Sequence, residues 1–202
     1  MSLATATWVD ALAPGAPDVA AAWRGIEEGE FISVRREVRK RAGLGSADGI
    51  VTQLGTLAAA LAAFVETAAE EILRAPGGEE DWNVAQAIGH TCEARAGLCL
   101  AAGLAAAGRF PADAPTVVPG IPGPPDADRT TLLRKIAQSQ RLIERSARTV
   151  AGHETEPCPL VHPLVGRLRC GEWLLFAGVH DMMHLEQLHD LAGRTQPEGP
   201  PA

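Results

Sequence analysis

Residues 51–72, VTQLGTLAAALAAFVETAAEEI, place Val51, Leu54, Ala58, Leu61, Val65, Ala68 and Ile72 at steps of three and four. On a helix these positions form one apolar face, so the stretch predicts a long helix with a buried stripe. Pro76-Gly77-Gly78 stops it. A second helix is expected to open at Asn83, whose side chain caps the first turn while Gln86 reaches back as in a capping box. It should run through His90 and Leu98 to about Ala107. A third is expected from about Asp128 to Val150, with Leu132, Ile136, Ile143, Ala147 and Val150 inward, and a fourth from near Gly171 to near Leu191.

Two long connections separate the later helices. Residues 108–127 carry Pro111, Pro115, Pro119, Pro122, Pro124 and Pro125, and residues 152–169 carry Pro157, Pro159 and Pro163; both read as loops. Four long helices with two long connections predict an all-α protein, a four-helix bundle with long crossover loops. Ahead of it, residues 1–16 read as irregular. Trp23, Ile26, Phe31, Val34 and Val38 trace a weak helix from about Val19 to Arg41, disfavoured by Gly25 and Gly29 and ended by Gly43-Leu44-Gly45. The expected plan is an extension with an extra N-terminal helical segment over 1–46, the bundle over 47–192 and a flexible tail over 193–202.

Composition agrees with helices. Hydrophobic residues make up 46% of the 202, chiefly alanine and leucine, with 4% aromatics and no tyrosine. A net charge of −7 argues against nucleic acid as a partner, because phosphate contacts need a basic surface. The basic run Arg35, Arg36, Arg39, Lys40 and Arg41 reads as a solvated helix face. Cys92, Cys99, Cys158 and Cys170 form no Cys-x-x-Cys pair and are too sparse for a disulfide framework, which suits a reducing cytoplasm. The apolar run Leu54–Val65 is too short and alanine-rich for a bilayer, so no membrane partner is expected.

Chemistry is expected where His180-Asp-Met-Met-His184 sets two imidazoles one turn apart on one helix face. Trp173, Phe176 and Gln187 share that face, while His189 falls on the opposite one. His90, on the second helix, would complete three nitrogen ligands for a divalent metal with open coordination positions. Gln86 and Glu93 lie on or beside the face of His90, and Glu93 is the one carboxylate in reach as a fourth ligand. The rival reading is a buried hydrogen-bond network of the same histidines with Gln187, Glu93 or Asp181.

Three further strings bear on the choice. Trp82 stands two turns before His90; His162-Pro-Leu-Val-Gly166-Arg-Leu168 precedes Glu172-Trp173; the histidine pair and Gln187 follow. Across about residues 47–192 the chain thereby resembles the DinB-like (damage-inducible) metalloproteins, which are four-helix bundles. The resemblance implies one divalent metal, nickel or zinc, on His90, His180 and His184. It puts His162 near the last helix, in an outer-sphere or substrate-facing position. Arg169 departs from the pattern, standing where a serine or threonine would complete a capping box with Glu172.

Two function classes follow. Relatives of this kind attach low-molecular-weight thiols such as bacillithiol or mycothiol to small-molecule electrophiles, or use them in isomerisation. That implies a metal-dependent thiol transferase or isomerase, with a hydrolase acting through metal-activated water as its sister. The other class is a non-catalytic, metal-binding or dimerising stress protein. The alanine-rich bundle suggests a cytoplasmic homodimer.

Overall fold

A computed structural model describes residues 3–27, 30–42, 45–76, 82–114, 117 and 120–195. Gly29, Gly43, Leu44, Gly77, Gly78, Pro115, Pro119 and residues 196–202, which figured in the expectations above, lie outside the described residues. Among the described residues, eight helices and one hairpin follow in order: α1 Leu3–Leu12, α2 Pro17–Arg24, α3 Phe31–Ala42, α4 Ala47–Thr67, α5 Glu70–Arg74, α6 Val84–Ala106, α7 Arg129–Val150, β1 Pro157–His162, β2 Gly166–Arg169 and α8 Cys170–Thr195. The protein is mostly helical, and α4, α6, α7 and α8 form the bundle.

The direction of each bundle helix can be read from its ends. Glu154 binds the starts of both α4 and α8: its Oε1 accepts Ala47 N–H (3.2 Å) and its carbonyl accepts Gly171 N–H (2.9 Å). These two helices therefore run parallel. Arg95 meets Ser139 and Gly103 packs on Ser146, so α6 and α7 also run parallel. Arg129, at the start of α7, sits at the end of α4, so the two pairs oppose each other. Parallel α6 and α7 require residues 107–128 to travel back along the bundle, which accounts for that connection's length.

Helix starts follow local chemistry. Ser46 caps α4 at Gly49 N–H (3.1 Å), and Asp128 caps α7 at Thr131 N–H (2.7 Å). The end of α4 was misread. The apolar pattern runs to Ile72, but the helix stops at Thr67 and a separate short α5 begins at Glu70. The cause is distant: Arg129 donates to the carbonyls of Glu66 (2.8 Å) and Ala68 (2.7 Å), satisfying groups that helix termini leave orphaned. By length and composition the 21-residue α4 could cross a bilayer, contrary to the expectation from Leu54–Val65. Its Leu54, Leu57, Leu61 and Val65 are fully buried against the other helices, as befits a core helix.

Four further corrections concern the ends of the chain and the second connection. Residues 3–12 form α1 where an irregular lead-in was expected. The weak helix of 19–41 is two helices, because Gly25 ends α2 and lies against Glu37 of α3. Gln53 anchors this extension: its Oε1 accepts Asp18 N–H (2.8 Å) and its amide donates to the Asp18 carboxylate (2.7 Å). The 152–169 loop contains the antiparallel β1–β2 hairpin, with Val161 opposite Arg167 and His162 opposite Gly166. Prolines are tolerated there because a two-stranded ribbon leaves outward N–H positions unused. Finally, α8 continues through Gly193 to Thr195 rather than ending near Leu191.

At the start of α8, Glu172 Oε2 accepts Arg169 N–H (2.8 Å), so the glutamate half of the capping box operates alone. Glu156 and Glu154 carbonyls take the next two N–H groups. Every residue from Cys170 to Met182 is buried.

Candidate metal centre

The Asn83–Gln86 capping box is present in both directions, at 2.8 and 3.1 Å, and it starts α6 two turns before His90. Gln86 is thereby engaged in the cap. His90 lies between the Trp82 ring (5.0 Å between centroids) and the two histidines of α8. Its ring centroid is 5.4 Å from that of His180 and 5.3 Å from that of His184, and the α8 pair is 4.7 Å apart. One ring nitrogen from each of the three falls within 4.8 Å of the others. Their exposures are 9%, 7% and 4%.

Hydrogen bonds orient two of the rings. His90 Nδ1 is 2.9 Å from the carbonyl oxygen of Ile121, which can only accept. Nδ1 therefore carries the proton, and Nε2 keeps a lone pair for a ligand. His184 Nδ1 lies 3.1 Å from Gln187 Oε1, which orients that ring in the same way. His180 Nδ1 is buried with no hydrogen-bond partner among the described residues. Burial, reinforced by the neighbouring His184, His90 and His162, holds the His180 pKa well below its ordinary value, so the ring is neutral.

Three buried imidazoles with an orphaned nitrogen among them fit a divalent metal. Nitrogen ligands suit zinc, nickel and related first-row ions. Of the hydrogen-bond-network alternative, the Gln187–His184 contact is present, while Glu93 and Asp181 both face elsewhere. Glu93 is exposed and pairs with Lys135 of α7 (2.7 Å), which corrects its place as a fourth ligand. Asp181 points to Arg95.

His162 ends β1 with its ring 4.9 Å from Phe176 and 6.4 Å from His180. Its Nδ1 accepts Leu164 N–H (3.1 Å), and burial, followed by the neighbouring His90, pushes its pKa down to about 4. It stands beside the triad without belonging to it. Phe176 adjoins His180 at 6.3 Å, while Trp173 lies a layer deeper, 5.7 Å from Phe176 and fully buried. His189 stacks on Trp8 (5.1 Å) and takes no part, as its helix face required.

Two contributors escaped sequence reading. One is the Ile121 carbonyl, held in place by a close approach of backbones. A Cβ on Gly123 would meet Gly89 Cα at 2.6 Å, and Gly123 N–H donates to Gln86 carbonyl (3.0 Å). Arg74 and Asn83 latch the same strap by binding the carbonyl of Pro125. Gly123→Ala is expected to push the strap off α6 and break the Ile121–His90 bond. Loss of such an outer partner typically lowers metal affinity about 10- to 100-fold. Competition titration against a chelator measures it, and an unchanged affinity would show that the strap does not orient His90.

The other is a buried ion pair. Arg95 Nε lies 2.9 Å from Asp181 Oδ2, with both side chains fully buried. Burial pushes the Asp181 carboxyl up to about 6, opposed by Arg95. The only hint was one arginine inside the apolar run of α6.

The cysteines are not part of the site. Burial pushes Cys92, Cys99 and Cys170 up to about 12, so none supplies a thiolate at neutral pH. Two cavities, one between α6 and α7 beside Lys135 and one among Arg39, Ser46, Glu154 and Arg169, contain no triad histidine.

A family profile for the DinB superfamily matches residues 53–188, which span all three histidines. The chain belongs to the DinB superfamily. No curated protein and no solved structure matches it. The DinB match takes in most of the bundle, with Trp82, His90 and the paired histidines of α8 inside it. The match begins inside α4, so α1 to α3 lie outside the DinB segment.

Proposed function

We propose that this DinB protein holds one divalent metal, nickel or zinc, on His90, His180 and His184, and that it transfers a low-molecular-weight thiol to a small electrophile. The observation that supports this reading most is the donor set: three buried imidazoles gathered from α6 and α8, with no carboxylate or cysteine grouped with them among the described residues. A divalent ion in such a set keeps its full positive charge and would lower the pKa of an exogenous thiol, or of water in a hydrolytic variant. The chain's own groups do the rest. Ile121 and Gln187 orient His90 and His184, and Trp82, Phe176 and His162 wall the site with rings. The buried cysteines leave an outside thiol as the sulfur nucleophile, and a reducing cytoplasm is the setting that suits both.

The alternative, a non-catalytic metal-binding protein, is favoured by the low exposure of the three rings. Cobalt-substituted protein separates the two. Addition of bacillithiol or mycothiol should produce a near-ultraviolet thiolate-to-cobalt band, and nickel- or zinc-loaded protein should then consume a haloalkyl electrophile in a thiol-dependent way. Cobalt uptake without a band from either thiol would favour the non-catalytic reading.

A further inference from the structure

The Arg95–Asp181 pair joins the same two helices that supply the histidines, and nothing in the proposed chemistry uses it. Arg95 lies five residues after His90 on α6, and Asp181 directly follows His180 on α8. Both side chains are fully buried. The guanidinium also donates to Leu54 carbonyl of α4 (2.8 Å), and to Ser139 Oγ and Gln140 Oε1 of α7 (3.3 Å each). One side chain therefore touches all four bundle helices.

Apolar packing alone fixes such an arrangement loosely. Leucine and alanine ridges tolerate small slides and rotations, since hydrophobic contact is non-directional. A metal site does not, because ligand distances must hold to within about 0.2 Å. A slide of one residue moves a helix by about 1.5 Å and turns the presented side chain by about 100°. A charged hydrogen bond in a dry interior has the required directionality. Buried ion pairs also add little net stability over apolar residues of equal volume, so their contribution is to register.

We propose that Arg95 and Asp181 are positioning residues for the histidine site: their ion pair sets the register and rotation of α8 against α6, so that His180 and His184 face His90. This rests on the metal-binding reading above. It predicts that stability and metal affinity respond in opposite directions when the pair is replaced.

The test uses the full chain and the double variant Arg95→Met/Asp181→Leu. Urea unfolding of the metal-free protein measures stability, and nickel or zinc titration against a competing chelator measures affinity. The double variant is expected to be as stable as wild type or more so, with its metal dissociation constant raised at least about tenfold. A folded double variant whose affinity stays within about twofold of wild type overturns the proposal. Arg95→Lys is the second arm, because it keeps the ion pair with Asp181 while giving up the contacts to α4 and α7. It should lose stability yet hold metal within about threefold of wild type, and affinity falling in step with stability overturns the proposal even if the double variant does not fold. Failure of the underlying reading looks different: wild type itself would take up neither metal.

Discussion

Protein purified without an affinity tag should carry about one nickel or zinc ion per chain, and the variants His180→Ala and His184→Ala should carry almost none. The two rings stand 4.7 Å apart on one face of α8, and His90 closes the set from α6. Removing either leaves two nitrogens, too few to compete with water and buffer for the ion. The same experiment has a thermodynamic arm. A metal present at about a thousand times its dissociation constant stabilises the folded state by about 4 kcal/mol, so loading should raise the melting temperature of wild type and leave both variants unmoved. Elemental analysis and thermal unfolding give both readouts. Wild type that takes up no metal on titration would leave a purely structural bundle.

The single substitution Arg95→Met should be among the most damaging in the chain. It leaves the Asp181 carboxylate, already fully buried, without its cation. Breaking one half of a buried pair typically costs about 3–5 kcal/mol, against a total stability of about 5–15 kcal/mol for a domain. Lys135→Met supplies the contrast. Lys135 holds Glu93 at 2.7 Å, a shorter separation, but Glu93 is 64% exposed. Water screens that pair, and its loss should cost under about 1 kcal/mol. Urea denaturation of the two variants compares them directly. Equal losses would show that burial does not set the worth of these pairs.

What could be read from the chain alone was what depends on near neighbours. Asn83 and Gln86 signal a capping box because both partners lie within four residues, and the structure has it. His180 and His184 signal a shared face because one helical turn separates them. The third histidine needed more: helical spacing offers His90 as a partner for the pair without placing it there, and the fold brings them together across 90 residues. Helical projection failed for Glu93 because an angle tells which way a side chain points and not which helix lies there. Here α7 lies there, presenting Lys135. The hairpin was missed because Pro157, Pro159 and Pro163 argue against a strand, although Cys158 and Leu160 alternate inward as a strand requires. The stop of α4 and the proton on His90 Nδ1 were both out of reach, since the first depends on Arg129 and the second on the carbonyl of Ile121. Main-chain acceptors far along the chain leave no mark in a sequence.

A guanidinium carried on one helix and bonded to three others is satisfied only after the last of them has docked. Until then Arg95 is better left in water, so its bonds are expected to form at the final stage of folding and to be largely missing at the barrier. Interactions made after the barrier retard escape from the native state without hastening arrival. The arginine at the centre of this bundle therefore governs how long a folded molecule survives, while the speed of its assembly is left to the alanine and leucine faces around it.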